Sequence, residues 1–175
     1  MGWKSVKEHY KIQHIVHIKR GNLCIGSGYI NNIIEVTPAG EFVERYDRAS
    51  NNELARYQQE IAQDLALFAR LMSQQDHFMR SITVYTYDDS NIIEKQCEET
   101  GWPNVTHDGE LMYENTFSTD RNVIVETALR NAKAHHEMTD RALKQALGTV
   151  QDLEKERAMA AQHIETLLKM KSEAQ

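Results

Sequence analysis

The sequence predicts an α+β protein: an antiparallel β-sheet head with one packed amphipathic helix, followed by a long C-terminal helix forming a coiled coil. Three observations carry this expectation. Short β-branched and aromatic runs separated by turn residues fill the first two thirds of the chain, and one window, Leu54 to Met72, repeats apolar residues at three- and four-residue steps. From Ser118 onward there is no proline and a single glycine, Gly148, among abundant Ala, Leu, Glu, Lys, Arg and Gln, the strong helix formers. The boundary falls accordingly, with an α+β head at 1–117 and a helical tail at 118–175.

The head begins with Ile12, His14, Val16 and Ile18 in period-2 alternation, a half-buried strand, and Gly21-Asn22 turns the chain into Leu23-Cys24-Ile25. Tyr29 to Val36 reads as a further strand. Thr37-Pro38-Ala39-Gly40 then suits a type I turn, because proline presets its φ and glycine tolerates the exit geometry, so Glu41 to Tyr46 returns as a hairpin. Ser50-Asn51-Asn52-Glu53 matches a capping box, and the helix it starts, with Leu54, Tyr57, Ile61, Leu65, Phe68 and Met72 on one face, ends near Gln75. Ser81 to Tyr87 and Ile92 to Cys97 flank the turn cluster Asp88-Asp89-Ser90-Asn91, a second hairpin. A third is expected around Asp108-Gly109 as a two-residue type I′ turn. The head then holds roughly five to seven strands.

In the tail, Ser118 or Thr119 can cap the helix start. A 4-3 walk from Leu129 visits Ala132, His136, Thr139, Leu143, Ala146, Val150, Leu153, Arg157, Ala160, Ile164, Leu167 and Lys171, mostly apolar and interrupted by His136, Thr139, Arg157 and Lys171. Leu129, Leu143, Ala146, Val150, Leu153, Ala160, Ile164 and Leu167 are the expected oligomerisation residues. One continuous helix, pairing parallel or antiparallel with a copy of itself, is one solution, and a helical hairpin broken at Gly148-Thr149 is the other. The continuous form would be a rod of roughly 80 Å that a small head cannot cover, so its seam calls for another helix.

The net charge of −6 is unevenly spread. Residues 120–175 balance nine basic side chains against nine acidic ones, the first 20 residues carry five basic against Glu8 alone, and residues 21–119 hold six basic against 16 acidic, a charge of −10. That sign disfavours direct nucleic-acid binding, which needs Lys and Arg on phosphates, and favours a basic protein partner. The longest apolar runs are a few residues, where a bilayer span needs roughly 20. No secretory signal is expected at the N-terminus, and two cysteines make neither a disulfide framework nor a zinc site, so a reducing, cytoplasmic compartment is expected.

Candidates for chemistry are weak. Gly26-Ser27-Gly28 is a turn or bulge, since the phosphate-binding fingerprint needs a third glycine and a helix. His136 and Asp140 lie one helical turn apart, with His135 adjacent, but two ligands do not make a metal site. His14 and His17 fall on opposite strand faces. His107 as a base oriented by Asp108 has no serine or cysteine nucleophile nearby. Cys24 and Cys97 sit in β-patterned segments as small buried hydrophobes. Asn104-Val105-Thr106 is a formal glycosylation triplet without an export signal. No catalytic residue, cofactor or metal is therefore expected. The stronger lead is binding: Asp88, Asp89, Glu94, Glu98 and Glu99 accompany Trp102 in a Gly/Pro-bounded loop, with Tyr113 following, and tryptophan and tyrosine anchors are enriched at interface hot spots.

The wording of residues 95 to 120, with Lys95-Gln96-Cys97-Glu98-Glu99-Thr100-Gly101-Trp102-Pro103 at its start, and of the opening Gly2-Trp3-Lys4-Ser5-Val6-Lys7-Glu8-His9-Tyr10, resembles small accessory proteins encoded by tailed bacteriophages. The resemblance covers the head alone and brings no catalytic residue. It implies a bacterial host cytoplasm and stoichiometric binding to a host factor. The expected function is thus a non-enzymatic protein-binding module that oligomerises through its tail, binding a basic host protein through its acidic head, as an inhibitor of a host nucleic-acid enzyme or defence system. The alternative is a structural or scaffold component of a virion or replication assembly.

Overall fold

The computed structural model describes residues 1–47 and 52–173. Twelve elements follow in order: α1 (Trp3–His9), β1 (Ile15–Lys19), β2 (Asn22–Gly26), β3 (Ile34–Val36), β4 (Phe42–Glu44), α2 (Asn52–Gln63), α3 (Leu65–Ser73), β5 (Ile82–Asp88), β6 (Asn91–Cys97), β7 (Asn104–Val105), β8 (Leu111–Met112) and α4 (Arg121–Glu173). The class is α+β, with antiparallel strands and a long C-terminal helix. Two compact units are distinguished, Met1–Glu126 and Thr127–Gln175.

The single head sheet expected from the sequence is instead three: β1-β2-β3-β4, the hairpin β5-β6 and the hairpin β7-β8. Isolated bridges at Cys97–Thr106 and Tyr85–Ser118 link the second hairpin to the β7 side and to the segment before α4. In the four-stranded sheet, Val16 opposes Ile25 and Ile25 opposes Ile34, while Ile18 opposes Leu23 and Leu23 opposes Val36. These residues line one face and pack with Val6, Leu54, Tyr57, Ile61 and Phe68 in the main core. Each such aliphatic or aromatic burial stabilises by about 1.5–3 kcal/mol. Val84, Cys97, Met112 and Phe117 form a second, smaller cluster.

Period-2 patterning extended the first strand too far: Ile12 is buried in the core, but the strand begins at Ile15. Residues 29–33 leave the expected strand 29–36 and form a loop, for which the turn formers Ser27, Gly28, Asn31 and Asn32 account. The Thr37–Gly40 turn is present, with Gly40 N–H donating to Thr37 O at 2.8 Å and Gly40 at φ +91°. Asp89, at φ +51°, and Ser90 form the two-residue loop of β5-β6, because Asp88 pairs with Asn91. The third hairpin has a different turn. Thr106 N–H donates to Glu110 O and Gly109 N–H to Thr106 O, both at 2.9 Å, and only Gly109 of the Asp-Gly pair has positive φ, so three residues close it rather than two.

One continuous helix over 54–72 is also corrected. Asp64, at φ −142°, interrupts it, and its side chain accepts from Leu67 N–H at 2.9 Å to start α3 afresh. The apolar spacing crosses the break undisturbed, which is why periodicity missed it. Ser50 and Asn51 of the capping box lie outside the described residues.

Helix α1 was not expected, because its seven residues show no apolar period. Tertiary contacts make it. The Asp76 carboxylate accepts from the N–H groups of Lys4 (3.0 Å) and Ser5 (2.8 Å) and from Ser5 Oγ (2.7 Å), supplying from a distant loop the cap its own N-terminus lacks. Gly2 N–H donates to Met72 O at 3.0 Å, and a Cβ on Gly2 would stand 1.7 Å from Leu71 O, so only glycine fits against α3.

Asp120, rather than Ser118 or Thr119, caps α4 by accepting from Asn122 N–H at 2.8 Å. The helix runs through Gly148 without a break, which excludes the hairpin alternative. Ion pairs at Asp140–Lys144 (2.7 Å) and Glu165–Lys169 (2.9 Å) support it, each by a few tenths of a kcal/mol. No helix among the described residues is long and apolar enough to cross a membrane.

Candidate functional site

The loop between β2 and β3 carries exposed apolar side chains of the head. Ser27 N–H donates to Ile30 O at 2.7 Å, and Ser27 Oγ accepts from the N–H groups of Tyr29 (3.3 Å) and Ile30 (3.1 Å), which closes a tight turn. Behind it, the loop returns over Gly26, where a Cβ would fall 2.2 Å from Asn31 O, and His17 Nε2 hydrogen-bonds Asn31 O at 2.8 Å. The turn holds Tyr29 at 100% exposure and Ile30 at 58%.

Two neighbours meet this loop. A Cβ on Gly28 would lie 3.7 Å from Pro103 Cγ, which brings the Trp102-Pro103 segment alongside, with Trp102 at 38% exposure. The Tyr113 hydroxyl donates to Asn31 Oδ1. Tyr113 in turn lines a cleft of about 410 Å³ together with Tyr87, Asp88, Asp89, Glu110 and Phe117. The wall is fixed by Tyr85 N–H to Ser118 O (2.7 Å) and Ser118 N–H to Tyr85 O (3.0 Å). Exposed aromatics thus adjoin an acidic cleft.

Of the binding residues expected from sequence, Asp88, Asp89 and Tyr113 share that cleft, and Trp102 stands by the loop beside it. Asp88 and Asp89 are exposed and make no ion pair among the described residues. Glu110 is partly neutralised by Lys95, which also holds Asp108 at 2.6 Å. Burial opposes the Lys95 charge, but the hydrogen bonds to Asp108 and Glu110 keep its pKa above the ordinary lysine value. Glu94 is exposed on β6, opposite Tyr85. Glu98 and Glu99 lie elsewhere, in a mixed-charge cleft of about 400 Å³ with Lys4, Lys7 and Lys11. There Glu98 is bound by Lys4 at 2.7 Å. Sequence reasoning missed Tyr29 and Ile30 because strand patterning absorbed them, although Gly26-Ser27-Gly28 before and Asn31-Asn32 after signalled a loop.

The chemical candidates are occupied by structure. Cys24 and Cys97 are buried free thiols. Burial, with Glu35 nearby, pushes the Cys24 thiol up to about 12, and burial raises Cys97 as well, so neither presents a thiolate nucleophile at neutral pH. The register pairs Cys24 with His17, whose Nε2 is engaged by Asn31. His107 stacks on Phe78 at 3.7 Å, while Asp108 accepts from Lys95 and Thr106. Asp140 is held by Lys144, and no group of three or more metal-ligating side chains occurs among the described residues.

In the tail unit, Leu129, Leu143, Ala146, Val150, Leu153, Ala160, Ile164 and Leu167 are all exposed, the named leucines by 52–64%. Leu147 and Leu168 widen the same stripe. No protein-family model matches this sequence, nor does any characterised protein or solved structure.

Proposed function

We propose that this protein is a non-enzymatic binding module. Its head takes a basic segment of a partner protein on the face built by Tyr29, Ile30, Trp102 and the Asp88–Asp89–Tyr113 cleft, and its tail joins copies through the exposed stripe of α4. The observation that carries this reading is Tyr29, fully exposed on a turn tied down by Ser27 and adjoining the acidic cleft through the Asn31–Tyr113 bond. The bonded turn fixes the backbone that presents Tyr29, and aromatic anchors are enriched among the residues that dominate interface energies. Unpaired Asp88 and Asp89 would steer a cationic segment and speed its association. Following the resemblance to phage accessory proteins, the partner would be the basic groove of a host nucleic-acid enzyme or defence component in the bacterial cytoplasm.

Selection of displayed random peptides on the wild-type protein tests the head. Peptides combining Lys or Arg with an apolar residue should be enriched, should bind less tightly as salt rises, and should lose at least about tenfold in affinity against Y29A/W102A or D88N/D89N. Peptides that bind the variants as well as wild type would remove the proposal. For the tail, replacing Leu143, Val150 and Leu153 with glutamate should turn an oligomer into a monomer by sedimentation; a monomeric wild type would refute self-association, and an oligomer that survives the substitutions would refute this stripe as its interface.

The 53-residue helix also favours a second reading, in which α4 is a spacer in a virion or replication assembly. Incorporation into such an assembly would then survive loss of Tyr29 and Trp102.

A further inference from the structure

We infer that two copies of α4 pair antiparallel. This rests on the self-association proposed above and goes beyond it to the direction of pairing. In the seam that starts at Leu129, alternate positions form two rows. One contains Leu129, His136, Leu143, Val150, Arg157, Ile164 and Lys171, and the other contains Ala132, Thr139, Ala146, Leu153, Ala160 and Leu167. Every basic seam residue belongs to the first row. The second is uncharged throughout and largely Ala and Thr.

Parallel pairing faces each row with itself. Arg157 would then meet Arg157 of the second copy, and Lys171 would meet Lys171, stacking like charges where the seam is driest; His136 would face His136 as well. It would also layer Ala132, Ala146 and Ala160 against their own small copies, leaving gaps where close packing is needed. Antiparallel pairing faces the first row with the second. Every cation then meets a neutral residue, and the small Ala132, Thr139, Ala146 and Ala160 meet Ile164, Arg157, Val150 and His136 of the second copy.

The register that pairs the whole stripe from Leu129 to Leu167 has its twofold axis at Gly148. It sets Leu143 on Leu153, Val150 on Ala146, Ile164 on Ala132 and Arg157 on Thr139 of the second copy. Arg157 then stands beside Asp140 of that copy, which flanks Thr139, so the seam cation gains an opposite charge. Leu147, exposed by 53%, crosses the axis onto its own copy, which accounts for a leucine just outside the seam. The cost is Asp140 beside Glu154 of the second copy, at the margin, where Arg157 from one side and the 2.7 Å Lys144 partner from the other offset it.

Spin labels on R130C of the full-length protein, measured by pulsed dipolar spectroscopy alongside sedimentation, decide the matter. Cys24 and Cys97 are buried and do not compete for the label. Antiparallel pairing about Gly148 places the two labelled positions roughly 50 Å apart along the axis, whereas parallel pairing leaves them across helices whose axes are about 10 Å apart. A dimer with the long distance supports the inference. A dimer with the short one overturns it while leaving self-association standing, and a monomer overturns both. A charge swap supplies a second readout. R157E should weaken the dimer about tenfold, and D140K/R157E should restore it, since the pair is rebuilt across the interface. Failure of the double variant to recover would overturn the Arg157–Asp140 register.

Discussion

Lys4 Nζ stands 2.9 and 2.7 Å from the two carboxylate oxygens of Glu98, joining α1 to the end of β6. Glu98 Oε1 also accepts from Met79 N–H at 2.7 Å. These bonds, the Lys4 one foremost, hold the Glu98 carboxyl below its ordinary pKa against a smaller opposing effect of burial. A depressed folded pKa means stability that is present above the unfolded value of about 4.3 and lost as pH falls through the folded value. E98Q should lower stability near neutral pH by about 1–3 kcal/mol. In urea titrations the gap between wild type and variant should narrow as the solution is acidified through the carboxylate range. A gap independent of pH would show that the pair carries no such linkage.

Gly109 is the position where the third hairpin tolerates no side chain. Its φ is +90°, and a Cβ there would lie 2.5 Å from Ile18 Cγ1 and 2.9 Å from Ile18 Cβ. Its carbonyl also accepts from Ile18 N–H at 2.8 Å, so the turn cannot withdraw without loss. G109A should cost about 2 kcal/mol or more, from left-handed backbone strain plus overpacking, read as a lowered denaturation midpoint. An unchanged midpoint would mean that β7-β8 is not docked on β1.

Gly148 presents the opposite case. It sits inside α4 with nothing within 4 Å of a built Cβ. G148A should stabilise the helix by about 1 kcal/mol, raising helicity and the tail's melting temperature in far-UV circular dichroism. A loss of helicity would argue that the chain needs glycine there for a bend.

Cys24 and Cys97 should resist modification by an aromatic disulfide reagent near neutral pH in the folded protein and react together once guanidinium unfolds it. Burial both blocks access and raises the two thiols, Cys24 to about 12. Rapid reaction of either in the native state would reopen the case for a nucleophile.

Much of this fold is legible in the amino-acid sequence. Hydrophobic periodicity and turn chemistry placed the β3-β4 and β5-β6 hairpins, and the scarcity of proline and glycine after Ser118 marked a helical tail, while its continuity through Gly148 was decided only by the structure. Such signals are local: they arise from residues a few positions apart, where φ preferences and side-chain spacing act directly. They also singled out Asp88, Asp89, Trp102 and Tyr113, though not the reason to group them.

What the sequence withheld depends on groups far apart in the chain. Helix α1 exists because Asp76 caps it and Gly2 fits against Leu71, and no pattern within Trp3–His9 reports either. Asp64 breaks a helix whose apolar spacing continues across it, since periodicity records side-chain direction and not the backbone's course. That Glu98 is bonded by Lys4 within the head, and that its turn leaves Tyr29 uncovered, likewise emerge only from the tertiary structure. Composition and spacing settle which segments are helical or extended; whether a charge or an aromatic ring is spent inside the molecule or left for a partner is settled only when distant segments meet, because burial and pairing are properties of that meeting.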